Sequence, residues 1–137
     1  MRSYAENTSD MFSSPERRNF LEKADHYIEM AISQIRETGD SAFLPKAYIE
    51  ACRVDKCLIS LEDLDSQKHL LGAKAKSSAH QVMDLADKYG FHTASVVALL
   101  EMAEVHLLLN DFENAANDLR RVTDMIPPEY LEINNNT

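Results

Sequence analysis

Catalysis or metal binding needs reactive side chains that converge, and the candidates in this sequence are few. Cys52 and Cys57 stand five apart in a stretch of helical periodicity, where their side chains diverge too far for an easy disulfide. No second Cys or His pair completes a zinc pattern, so both read as reduced core thiols. The histidines show no partner spacing; His26 and His92 read as solvated, and His106 as filling a core or edge position. No acid, base and nucleophile set emerges. The expectation is a protein that is not an enzyme, with no catalytic, metal-ligating or cofactor-binding residues. Ser13 and the Ser14-Pro15 dipeptide, in a polar N-terminal stretch, are candidate phosphorylation positions.

The elements that carry these residues are helical. From Arg17 to Thr38 the apolar residues Phe20, Leu21, Ala24, Tyr27, Ile28, Ala31, Ile32 and Ile35 recur every three or four positions, and Gly39-Asp40 closes the segment. A second helix starts near Phe43 and Pro45 and turns Ala47, Tyr48, Ala51, Val54, Leu58 and Leu61 inward. Asp65 or Ser66 opens a third, carrying Leu70, Leu71, Ala75, Ala79, Val82, Met83, Ala86 and Tyr89, and Gly90 ends it. The fourth runs from Thr93 to Leu109 and stops at Asn110-Asp111; the fifth runs from Phe112 to Ile126 and stops at Pro127-Pro128. The spacing therefore predicts an all-α fold with residues 17–127 as one helical domain, residues 1–16 as a polar arm and residues 128–137 as a polar tail.

The segment from Val96 to Pro127 resembles the tetratricopeptide repeat, a helical hairpin of about 34 residues. Leu99, Met102 and Ala103 match the large, Leu-like and small positions of its first helix; His106 stands where the family has an aromatic. Asn110-Asp111-Phe112 matches its Gly-Asp-Tyr turn, and Ala115, Leu119, Val122 and Pro127 follow the pattern of its second helix, with Val122 larger than the usual Ala. Close approach of two helices needs small residues where they cross, so Ala103 and Ala115 are the expected contact. The resemblance implies about five antiparallel helices in a right-handed superhelical stack.

The fourth helix is apolar on almost every side, as a helix sandwiched by its neighbours or kept for a partner would be. In the family, residues of the first helix of each hairpin line a concave groove, and the corresponding positions here are Val97, Leu100, Glu104, Leu107 and Leu108. Such a groove suits an apolar or amphipathic helical segment, with Glu104 selecting a Lys or Arg on it. Leu100 and Glu104 cannot supply the donors with which some family members clamp a C-terminal carboxylate. The expected function is a protein-protein interaction module, an adaptor or assembly subunit; self-association through the same helix is the alternative.

A second resemblance concerns Lys68-His69-Leu70-Leu71-Gly72-Ala73, which is similar to the histidine-phosphotransfer motif. It would make His69 a phosphoryl acceptor, but the Lys that family places before its Gly is missing, and Gly72 reads equally as a close helix contact. The net charge of −9 disfavours nucleic acid or an anionic membrane and favours a basic partner; Arg120-Arg121, Lys74 and Lys76 are too scattered to form a stripe. With no signal-like or membrane-spanning apolar run, the expected location is cytoplasm or nucleus.

Overall fold

The computed structural model describes residues 14–130, and among these it is all-α. Helix α1 spans Ser14–Thr38, a short 3-10 turn covers Ser41–Phe43, and α2 spans Leu44–Leu61, α3 Asp65–Tyr89, α4 His92–Leu108 and α5 Phe112–Met125. Helix α1 begins three residues before the predicted Arg17 because Pro15 sits in its first turn, where a missing N–H leaves no helical bond unmade. Most of the expected arm, with Ser13, and residues 131–137 of the expected tail lie outside the described residues. Residues 128–130 are helical where tail was expected.

The turns obey backbone sterics. Gly39 and Gly90 follow α1 and α3 with φ of 74° and 76°, a region closed to most residues by their Cβ, and Gly90 N–H donates to the Ala86 carbonyl at 2.8 Å. Asn110 is the non-glycine residue with positive φ among the described residues, at 60°, in the turn between α4 and α5. The Asp111 carboxylate then accepts from Asn114 N–H and caps α5.

Each helix packs on the next in sequence, and α2 also meets α4 across α3. The ends are fastened by polar contacts. Arg18, near the start of α1, donates to the Leu61 carbonyl at the end of α2 (2.9 Å), while Arg36 at the far end of α1 donates to the Tyr48 hydroxyl. Tyr89 at the end of α3 reaches Ser41 before α2. Helix α3 turns a row of small residues inward, namely Gly72, Ala75, Ala79, Val82 and Ala86, all buried, so α2 and α4 can approach closely. The core joins Tyr48, Ile49, Cys52 and Ile59 of α2 to Ala75, Ala79 and Val82 of α3 and Ala98, Met102 and Val105 of α4.

Three expectations about packing need correction. Phe20 and Tyr27, assigned to the buried stripe of α1, are exposed at 59% and 67%, because α1 has a neighbouring helix only on its α2 side. Leu119 is likewise exposed on α5, where the buried residues are Ala115, Asp118 and Val122. Cys57 is not a core thiol: it is exposed, whereas Cys52 is fully buried and burial, with Glu101 nearby, pushes its thiol up to about 12.

Candidate functional site

Helix α4 is sandwiched and open at once. It touches α2, α3 and α5, burying Ala98, Leu99, Glu101, Met102, Ala103, Val105 and His106. The residues at 97, 100, 104, 107 and 108 recur at helical spacing and share the remaining face. On that face Leu100, Leu107 and Leu108 are 41%, 47% and 37% exposed, Glu104 is exposed, and Val97 is half-buried.

The neighbour that shapes this face is α2. Near the end of α2, Lys56, Cys57 and Ser60 form with Glu104, Leu107 and Leu108 an open cleft of about 450 Å³. Near its start, Pro45, Ile49 and Arg53 form with Phe91, Ala94 and Val97 a second cleft of the same size. Four of the five residues picked from sequence thus line the two clefts, and Leu100 stands exposed on the same helix without lining either.

Charge crosses between the clefts. Glu101, buried at 6%, pairs with Arg53 Nε at 3.0 Å and with Lys56, which also pairs with Glu104; Arg53 reaches Glu50 at 3.1 Å. Burial works against the Lys56 ammonium, but its contacts with Glu101 and Glu104 hold its pKa above the ordinary value. The role expected of Glu104, selection of a cation on a partner, is therefore partly taken within the chain by Lys56. The sequence reading missed Arg53, Lys56 and Glu101. A charged residue interrupting the apolar run of α4 at Glu101, and two cations three apart on α2, were the available signals.

No family model, curated protein or solved structure matches the chain. The site must be judged on its own geometry. His106 is buried, and its Nδ1 lies 2.7 Å from Asp118 Oδ2. An ionised carboxylate only accepts, so the imidazole donates; this bond ties α4 to α5 where an aromatic was expected. His69 is exposed near the start of α3. The space beside Gly72 is filled by Leu109, whose Cδ1 would stand 2.6 Å from an added Cβ, so this glycine serves a helix contact. Among the described residues no group of His, Cys, Asp and Glu could hold a metal, and no helix is long and apolar enough to cross a membrane.

Proposed function

We propose that this protein is a non-catalytic helical interaction module of tetratricopeptide-like, antiparallel hairpin stacking, and that it docks an apolar or amphipathic helical segment of another protein on the α2–α4 face. The observation that carries the reading is the exposure of Leu100, Leu107 and Leu108 beside two clefts on one helix face, since a monomeric surface gains nothing by holding three leucines together in water. Leu100 and Leu107, two helical turns apart, share a face with Leu108 and Val97 and form an apolar stripe on which the anchors of a helix can lie. The clefts are mainly apolar, and along their border Glu50, Glu101 and Glu104 are balanced by Lys46, Arg53 and Lys56, so the apolar anchors carry the reading, and the net charge of −9 favours Lys or Arg beside them. Contacts between neighbouring helices, with α2 reaching α4, support the stacked-hairpin reading. We place its work in the cytoplasm or nucleus.

Leu100→Glu tests the proposal. The side chain is exposed, so the helical circular dichroism and the melting temperature should stay as in the parent while capture of the partner is lost. Unchanged capture, or loss of folding, overturns the assignment of this face. Light scattering over a range of concentrations separates the competing reading, in which the occupant is a second copy of the chain.

A further inference from the structure

Between α1, α2 and α3 lies a charge cluster that the docking face does not use. Asp55 of α2 is fully buried, and neither of its oxygens meets a donor; the Asp25 Oδ1 atom of α1 is buried in the same condition. The groups around Asp55 are Asp25 and Glu29 from α1 and Lys74 from α3. Lys74 pairs with Asp25, lies 3.1 Å from Glu29 and stands 3.8 Å from Asp55. The α4 acids Glu101 and Glu104 are occupied by Lys56 on another side of α2. One ammonium thus serves three carboxylates, two of which have buried oxygens without donors.

Two carboxylates in contact inside a protein need a proton between them, because a protonated acid donates the hydrogen bond that two carboxylates cannot make. Asp25 and Asp55 gather at one ammonium, Lys74, with Asp25 Oδ1 and both Asp55 oxygens buried and without donors. Asp25 is also the α1 residue that the fold buries most completely; Leu21, Ala24, Ile28, Ile32 and Ile35 are only half-buried. Apart from Lys74, α1 is fastened by its contacts with α2 and the 3-10 turn before it. The grip on α1 therefore depends on the charge state of this cluster as well as on its half-buried apolar seam.

We propose that a proton held between Asp25 and Asp55 latches helix α1 onto α2 and α3, and that its loss releases α1 while the α2–α5 body stays folded. Burial pushes the Asp55 carboxyl up from 3.8 to about 7, with Asp25 adding to the rise and Lys74 opposing it, so the latch works near neutral pH. The docked state holds the proton more tightly than the released state, where Asp55 meets water. Docking is therefore complete in acid and weakens as pH rises toward the docked pKa.

Amide hydrogen exchange of the full chain, corrected for the intrinsic effect of pH on exchange, tests this. Protection of α1 relative to α3 should fall about tenfold between pH ~6 and ~8.5, with most of the change below 7 and a plateau above it. Asp55→Asn, whose amide donates to Asp25 at any pH, should abolish that dependence; Asp25→Asn, which removes one cause of the rise and leaves the burial of Asp55, should shrink it. Constant protection of α1, an equal change in α3, a pH dependence that survives in Asp55→Asn, or one undiminished in Asp25→Asn overturns the proposal.

Discussion

Replacing Asp55 by Asn should change the pH dependence of global stability in a direction and size set by its burial. The side chain is fully enclosed, and Asn keeps its volume while removing its charge. The folded chain binds this proton more tightly than the unfolded chain. The stability conferred is thus fully present below the ordinary 3.8 and is lost as pH rises toward about 7. The interval between those values corresponds, at about 1.4 kcal/mol per tenfold change in proton affinity, to a ceiling of about 4 kcal/mol. Release of α1 before global unfolding lets water reach the carboxylate and lowers the expected loss to between about 1 and 4 kcal/mol. Urea denaturation followed by circular dichroism at pH 4, 5, 6, 7 and 8 gives the stability of both proteins. Near pH 4 they should agree to about 1 kcal/mol; by pH 8 the Asn variant should be the more stable, since the other titrating groups are common to both. A gap that stays constant from pH 4 to 8 would refute the reasoning.

Other perturbations have equally definite outcomes. His106→Ala leaves the buried Asp118 carboxylate without its donor and should cost about 2 to 5 kcal/mol, measured by urea denaturation, with Asp118→Asn costing less because no buried charge remains. Gly72→Ala should be neutral to about 1 kcal/mol, since the Leu109 side-chain tip can rotate away and Ala favours the helix, whereas Gly72→Leu should lose about 1 to 3 kcal/mol by overpacking, both read from the melting temperature. A thiol reagent should modify one cysteine of the native chain, Cys57, and reach Cys52 only after denaturation, which peptide mapping of the labelled protein will show.

The helices were legible because breakers and caps are local. Gly39, Gly90, Asn110 and Pro127 each act through their own backbone, and helical boundaries fell within three residues of those predicted. Leu100, Leu107 and Leu108 were singled out by the tetratricopeptide resemblance, and the structure leaves all three exposed on α4. What spacing could not supply was partnership between helices. Asp55 reads as a solvated acid until α1 brings Asp25 and α3 brings Lys74 beside it, and Asp118 reads as surface until His106 is found 2.7 Å away. Phe20 and Tyr27 fit the periodicity of a core stripe, but periodicity counts apolar residues and does not say how wide a stripe the neighbours will cover.

The arrangement in which contacts join sequence neighbours, apart from α2 against α4, has a kinetic consequence. Each pair of neighbouring helices can form by closing a short connection, whereas bringing α4 onto α2 closes a loop that spans the 25-residue α3. The expected folding nucleus is the α2–α3–α4 unit, where contacts reach beyond sequence neighbours. Substitutions of Ala75, Ala79 or Ala98 in that unit should slow folding, and substitutions in α1 and α5 should act mainly on the rate of unfolding, as folding and unfolding rates measured across a urea series will show.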